Sequence, residues 1–99
     1  MRVFNRNREK TKPFANQGIQ VCDSPAAAAK GAEFVCSIVS DDIATREVML
    51  GANGVVGAAA AGTIILDSST NTPAMAREVA FDARAKGIFY LDADRKSVV

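Results

Sequence analysis

The chain alternates short apolar runs with longer stretches in which apolar and polar residues are mixed. Such alternation is typical of strands and helices that follow one another around a parallel β-sheet. The pattern therefore predicts an α/β fold in one domain, because a chain of 99 residues suffices for a single small core. The predicted strands cover residues 2–5, 19–22, 34–39, 63–67 and 88–91.

Helices are predicted between these strands, and capping residues mark where they begin. Asn7, Ser24 and Thr72 each carry a side-chain oxygen that can accept from the free N–H groups of a first turn. Each predicted helix is followed closely by a glycine, which suits the left-handed backbone of a helix end. The helices are predicted over residues 7–17, 26–30 and 73–86, with a further one from residues 40–42 to residue 50.

Side-chain size and hydrophobicity predict which segments are buried. Residues 34–39 form a continuous apolar run, as expected of a strand that is covered on both faces. Phe14 is expected to point inward from its helix, whereas the Gly- and Ala-rich residues 51–62 are too small to form a core helix of their own. Cys22 and Cys36 lie in or beside apolar runs, and we expect both to be buried, reduced thiols.

Composition excludes several classes of function. Twelve Lys and Arg against eleven Asp and Glu leave a net charge of +1, so we expect neither nucleic acid nor an anionic membrane as a partner. No apolar run is long enough to span a membrane, which predicts a soluble, cytoplasmic protein. The chain has no His, so His-based triads are excluded, and no metal site is expected.

Polar residues that follow the strands are the candidates for ligand binding, because open parallel sheets bind ligands at the carboxyl ends of their strands. In domains that bind NAD, an acidic residue commonly ends the second strand and binds the ribose hydroxyls. That place would be filled here by Asn5 and Arg6, at the end of the predicted strand over residues 2–5. The planar guanidinium of Arg suits a phosphate group. The alternative is that Arg6 is a solvated side chain beside the start of a helix.

A loop with three consecutive hydroxyl residues, Ser68, Ser69 and Thr70, precedes the predicted helix at Thr72. Free N–H groups at a helix N-terminus favour an anion or a carbonyl ligand. Capping accounts for Thr72 and for at most one further hydroxyl, so the loop remains a candidate binding segment.

Three further features have simpler interpretations. The basic residues between Arg2 and Lys12 are interrupted by Glu9 and favour a solvated helix face over nucleic-acid binding. Asp41 and Asp42 are adjacent at a helix start, which favours capping over paired-carboxylate catalysis. The glycines at 51, 54 and 57 do not follow a strand and indicate a loop rather than a phosphate-binding turn.

The order of these motifs resembles the β-hydroxyacid dehydrogenase family over residues 2–93. The resemblance lies in the strand ending in Asn-Arg at 5–6, Ile-Val-Ser-Asp at 38–41, Gly-Ala-Asn-Gly-Val at 51–55, and Asp-Ser-Ser-Thr at 67–70 with Pro73. It implies a Rossmann-like domain that binds NADP, or alternatively NAD, and a small-molecule substrate such as a β-hydroxy acid or semialdehyde. A second, helical domain would complete the active site, and the parent protein is expected to be a homo-oligomer.

The resemblance also assigns roles to residues of this chain. Asn5 and Arg6 would face the 2′-phosphate of the coenzyme, and Thr70 would contact its nicotinamide side. Val39 and Ser40 would lie beside the adenine ribose or pyrophosphate, with Ser40 standing where many members have Pro. The catalytic residue of the family is a Lys that is expected outside this chain, so the 99 residues alone are expected to be inactive.

Two departures from the family accompany the resemblance. The first strand and its glycine-rich turn are missing, so residues 1–93 are expected to be an incomplete Rossmann-like domain. Residues 94–99 replace a substrate-binding loop and are expected to be a non-native tail, because they match the translated start of a common sequencing adapter. In the strand order 3-2-1-4-5-6 the missing strand is central. Either residues 3–5 pair directly with the strand at 34, or the sheet splits and exposes two apolar edges.

Two other interpretations stay open at this point. A 6-phosphogluconate dehydrogenase-type domain shares the strand that ends in Asn-Arg, although the loop from Ser68 to Pro73 fits the β-hydroxyacid group better. A non-catalytic α/β nucleotide-binding module would require acidic residues at strand ends, where this chain has Asn5 and Ser40.

Overall fold

The predicted alternation of strands and helices is present in a computed structural model, which describes residues 1–39 and 41–93 and, for Arg8, the backbone alone. Within this part of the chain all strand pairs are parallel. The α/β class with parallel sheets is therefore confirmed, and the first four strands are shorter than predicted. They are β1 (Arg2–Val3), β2 (Gln20–Val21), β3 (Phe34–Ser37), β4 (Ile64–Asp67) and β5 (Phe89–Asp92).

The strands form two separate sheets. Strand β1 pairs with β2, and β3, β4 and β5 form a second sheet in that order. In the doubly wound order these sheets correspond to strands 3-2 and 4-5-6, so the break falls at the position of strand 1. Of the two predicted outcomes, the split sheet is the correct one. We call residues 1–22 the N-terminal lobe and the described residues 24–39 and 41–93 the C-terminal lobe.

The helices begin largely where the sequence predicted. Ser24 Oγ accepts the Ala27 N–H at 3.1 Å, and Thr72 Oγ1 accepts the Met75 N–H at 3.3 Å. A 3-10 turn (Arg8–Thr11) leads into α1, and a π-helix (Arg46–Leu50) continues α3. The helices are α1 (Lys12–Ala15), α2 (Pro25–Ala29), α3 (Asp42–Thr45), α4 (Val55–Ala58) and α5 (Pro73–Ala85). None of these described helices is long and apolar enough to cross a membrane.

Three predictions about helices are wrong. The segment predicted as one helix over 7–17 changes from a 3-10 turn to α1, because Pro13 lacks an N–H and suits only the first turn of a helix. Phe14 is 39% exposed rather than inward, since no side chain of α1 is buried. In the segment 51–62, helix α4 does form, and its Val55 and Val56 are buried in the core despite the small residues around them.

The core lies on one face of the C-terminal sheet. Ile65 in β4 and Val79 in α5 are fully buried, and Met49 from the π-helix packs into the same cluster. Helices α2 and α4 contribute further members, whereas the N-terminal lobe contributes none among the described residues. The cluster consists of Ala29, Met49, Val55, Val56, Ile65, Met75, Val79, Ala83 and Ile88.

The opposite face of this sheet is open. Phe34, Ile64 and Phe89 lie side by side in register, with Phe34 54% and Phe89 63% exposed. Cys36 and Leu91 are exposed on the same face. The prediction that residues 34–39 are covered on both faces is therefore wrong, as is the buried thiol at Cys36, while Cys22 is buried as predicted. The physical reason is the crossover rule, because right-handed connections from β3 to β5 place their helices on one face.

Candidate functional site

Asp67 is the centre of a polar cluster at the carboxyl edge of the C-terminal sheet. It ends β4 in register with Ser37 and Asp92, and it is fully buried. Its Oδ1 accepts the Ser69 N–H at 2.9 Å, and its Oδ2 accepts the Tyr90 O–H at 2.6 Å. Burial and the hydrogen bond to Asp67 raise the pKa of Tyr90 well above its ordinary value, so the phenol remains a donor at neutral pH.

The loop after β4 brings two predicted site residues together. Ser69 is buried, and its Oγ accepts the backbone N–H of Val39 at 2.7 Å. Ser68 and Thr70 on either side of it are exposed, so the loop presents two hydroxyl side chains outward. Val39 is therefore bonded to the residue that precedes Thr70, at the carboxyl edge of the sheet. Ser40, the other residue predicted there, lies outside the described residues.

The N-terminus of α5 is occupied by a carboxylate of the chain itself. Asp42 Oδ1 accepts the Thr72 N–H at 2.9 Å, and Asp42 Oδ2 accepts the Thr72 O–H at 2.6 Å. These bonds lower the pKa of Asp42 below its ordinary value. An anion bound here would meet the Asp42 charge, so of the two ligands considered for this loop the geometry favours a neutral carbonyl group.

The two adjacent carboxylates have different partners. Asp41 Oδ1 accepts the Ala44 N–H at 2.8 Å and so caps α3, while Asp42, in the first turn of α3, reaches across to Thr72, the cap of α5. The interpretation as a capping group is confirmed for Asp41. Neither carboxylate faces the other, as a general acid and base pair would require.

Asn5 and Arg6 lie together beyond β1, in the N-terminal lobe. Asn5 Oδ1 accepts the Asn7 N–H at 2.8 Å, which leaves the amide N–H2 group of Asn5 as a donor. Arg6 Nη1 lies 3.7 Å from Glu47 Oε2, and both side chains are about two-thirds exposed, at 71% and 66%. Exposed ion pairs of this length are weak. The end of β1 thus offers hydrogen-bond donors, and Glu47 is a weak competitor for the guanidinium.

The sequence did not reveal every residue of this arrangement. Tyr90 pairs with Ile65, two residues before Asp67 on the same face of β4, so the strand register would place its ring near Asp67 once the pairing is known. Glu47 could not be found in that way, because its contact with Arg6 joins the two lobes. Within the described residues, no group of three or more Cys, Asp or Glu side chains could hold a metal ion.

Comparison with known proteins now identifies the family. Residues 1–94 match the family described as the NAD binding domain of 6-phosphogluconate dehydrogenase. The relatives that match over the same length include 3-hydroxyisobutyrate dehydrogenases. The chain belongs to the β-hydroxyacid dehydrogenase family. It is an NAD-binding domain of that family, as the resemblance implied.

Three relatives illustrate the match. The chain is 32% identical over 92 residues to 3-sulfolactaldehyde reductase of Escherichia coli (strain K12), covering 93% of this chain and 31% of that protein. It is 34% identical to the mitochondrial 3-hydroxyisobutyrate dehydrogenase of Homo sapiens, covering 92% and 27%. The structure of an imine reductase from Myxococcus stipitatus in complex with NADP+ superimposes with a TM-score of 0.74 at 27% identity, covering 90% and 30%. The chain thus spans about a third of the length of these relatives.

Proposed function

We propose that this chain is the coenzyme-binding part of an NADP-preferring oxidoreductase that acts on a small β-hydroxy acid or semialdehyde. The family supports binding of NAD or NADP in general. When bound, the nicotinamide supplies the hydride that such oxidoreduction transfers. The chain's own residues would bind and orient the coenzyme, while the catalytic group would lie outside these 99 residues.

The pair of donors at the end of β1 carries the preference for NADP. The Asn5 amide N–H2 and the exposed Arg6 guanidinium offer hydrogen bonds to phosphate oxygens. An acidic residue at the same place would repel a 2′-phosphate and suit the ribose hydroxyls of NAD. The weak contact between Arg6 and Glu47 does not prevent phosphate binding, because a bidentate pair with phosphate is stronger than an exposed ion pair.

The carboxyl edge of the C-terminal sheet fits the rest of the coenzyme. The Thr70 hydroxyl is exposed and would contact the carboxamide of the nicotinamide. Val39 would line the coenzyme with its side chain and carbonyl oxygen, since its N–H is already bonded to Ser69. Ser40 would stand beside Val39 in the same role. The carboxamide is a neutral carbonyl ligand, the kind that the loop after β4 favours because Asp42 already occupies the start of α5.

Nuclear magnetic resonance of the 15N-labelled chain tests the assignment at β1. Adenosine 2′,5′-bisphosphate should shift the backbone signals of Asn5, Arg6 and Asn7, and 5′-AMP should shift them much less. Arg6→Ala should weaken binding of the bisphosphate roughly tenfold, since a hydrogen bond to a charged group contributes about 1.5–3 kcal/mol.

Lys10→Ala provides the matched control, because it removes the same charge from a nearby exposed position. Its effect should stay within about twofold, the size expected of a general change in charge. Equal losses from the two variants would contradict a specific role for Arg6. If neither nucleotide shifts any signal, the proposed coenzyme site at the end of β1 is wrong.

The chain alone should turn nothing over. NADPH oxidation by glyoxylate or succinic semialdehyde, followed by absorbance, should remain at the level of a protein-free control. Measurable turnover would contradict the proposal that the catalytic group lies outside these residues.

The complete enzyme is proposed to be a homo-oligomer in the cytoplasm, and sedimentation of the full-length protein tests its assembly.

A further inference from the structure

The buried carboxylate of Asp67 needs an explanation, because a charged group without water is costly unless several donors surround it. Three donors do so. The Ser69 N–H lies at 2.9 Å, Asn71 Nδ2 at 3.2 Å and the Tyr90 O–H at 2.6 Å. An apolar residue would fill this position at lower cost, so the carboxylate points to a purpose other than packing.

Two further bonds extend the cluster to neighbouring elements. Ser69 Oγ accepts the Val39 N–H at 2.7 Å, which ties the loop to the end of β3. The Thr45 O–H donates to Asn71 Oδ1 at 2.6 Å, which ties the loop to α3. We call Thr45, Asp67, Ser69, Asn71 and Tyr90 the Asp67 network.

The network holds the residues on both sides of Thr70. Ser69 and Asn71 are bonded inward to Asp67, whereas Thr70 between them has an exposed side chain and is the residue placed at the nicotinamide. Fixing both neighbours limits the backbone angles of Thr70 and therefore the direction of its Cα–Cβ bond, from which the hydroxyl projects. A binding group whose direction is set before the ligand arrives loses less entropy on binding.

We propose that Asp67 and Tyr90 are positioning residues that hold the Thr70 hydroxyl in place for the nicotinamide half of the coenzyme. This inference rests on the proposed function. It assigns no contact between Asp67 and the ligand, since Asp67 is buried beneath the loop. The Tyr90 O–H supports the Asp67 carboxylate from β5, so the loop conformation depends on three strands at once.

Binding of the two halves of the coenzyme, measured separately, tests the proposal. Reduced nicotinamide mononucleotide and adenosine 2′,5′-bisphosphate are titrated into the 15N-labelled chain, and the Thr70 and Arg6 signals are followed. Tyr90→Phe should weaken binding of the mononucleotide about fivefold, the effect expected of a residue that acts through its neighbours. Binding of the bisphosphate should change by less than about twofold, because Arg6 lies in the other lobe.

Phe89→Leu is the control, since it alters the same strand on the opposite, open face. It should leave the affinity for both halves unchanged. Equal weakening of both halves by Tyr90→Phe, or no weakening of either, would overturn the proposal while leaving the proposed function standing. A wild-type chain that binds neither half would refute the proposed function and this inference with it.

Thr45 supplies a second, independent pair of variants. Thr45→Val removes the donor to Asn71 while keeping the side-chain shape, and it should weaken binding of the mononucleotide in the same way as Tyr90→Phe. Thr45→Ser keeps a hydroxyl and should restore the affinity toward the wild-type value. Equal weakening by the Val and Ser variants would show that packing at Thr45 matters rather than its hydrogen bond, and no weakening by either would show that this bond does not position the loop. Either result would overturn the proposal.

Discussion

The C-terminal lobe contains a cluster of nine buried apolar residues, whereas the described N-terminal lobe contributes no side chain to it. In the N-terminal lobe, Thr11 and Cys22 are the buried residues among the described side chains, and each strand is two residues long. The lobes therefore differ in what orders them. Apolar burial stabilises the C-terminal lobe, whereas hydrogen bonds from the Arg2 guanidinium to the carbonyl oxygens of Ala27 and Lys30 tie the N-terminal lobe to it.

This difference separates the two halves of the proposed coenzyme site. Thr70 lies on a loop that is tied to the buried end of β4, so its geometry is set by the core beneath it. Asn5 and Arg6 lie on the lobe with little buried surface. Segments with few buried contacts open with little free energy, and a ligand that binds only the ordered form stabilises it. We expect the adenosine end of the coenzyme to order its own binding site.

The largest expected effect comes from removing core volume in one lobe. Ile65→Ala should lower the free energy of unfolding by about 2–5 kcal/mol, because Ile65 is fully buried within the cluster. Val21→Ala in β2 should lower it by about 1 kcal/mol or less, since Val21 is only half-buried. Urea denaturation of both variants measures the difference. Equal losses would show that the lobes share stability evenly and would break the comparison.

A smaller effect is expected at the junction of α3 and α5. Thr72→Ala removes the cap of α5 and should lower the free energy of unfolding by about 1 kcal/mol at neutral pH. The Thr72 bonds also lower the pKa of Asp42, so their stabilisation is present above the pKa of an unfolded Asp and is lost as pH falls through the folded value.

The difference in free energy of unfolding between wild type and Thr72→Ala should therefore become smaller below about pH 4, the ordinary pKa of Asp. Urea denaturation at a series of pH values checks this. Asp41→Asn is a useful comparison, because Asp41 caps α3 without contacting Thr72. A difference that stays constant down to acidic pH would show that Asp42 takes no part in it.

The open face of the C-terminal sheet should bind apolar dyes more strongly than the surface of the N-terminal lobe. Phe89→Ser should lower the fluorescence of bound ANS roughly by half, because it interrupts a contiguous exposed patch. Phe14→Ser removes an exposed ring from α1, away from this sheet face, and should have little effect. Equal dye binding by both variants would mean that the patch does not act as one surface.

The features predicted correctly from the sequence are local ones. Ser24 and Thr72 cap helices α2 and α5 as predicted. Gly18 and Gly87, which follow helices α1 and α5, adopt positive φ angles of 81° and 76°. Such features depend on residues a few positions apart. The family was also predicted correctly, because its motifs occur in order along the chain.

Features that depend on how distant elements pack were missed. The apolar run at Phe34 correctly indicated a strand. It could not show that the connections between β3, β4 and β5 would lie on one face of the sheet and leave the other face open. Helix α4 was missed because its small residues have little individual signal, whereas the surrounding core buries Val55 and Val56. The pairing of Arg6 with Glu47 likewise required the relative placement of two lobes.

The smallest expected effect tests how the lobes meet at the proposed phosphate site. Glu47 contacts Arg6 from the C-terminal lobe at 3.7 Å and would compete with a phosphate for the guanidinium. Glu47→Gln should therefore raise the affinity for adenosine 2′,5′-bisphosphate about twofold, the size of a weak exposed ion pair. Glu33→Gln removes the same charge just before β3, at the amino end of the strands and away from the carboxyl edge, and should leave the affinity unchanged. Weaker binding by Glu47→Gln would instead show that Glu47 orients Arg6 for the phosphate, so that the C-terminal lobe helps to build the site in the other one.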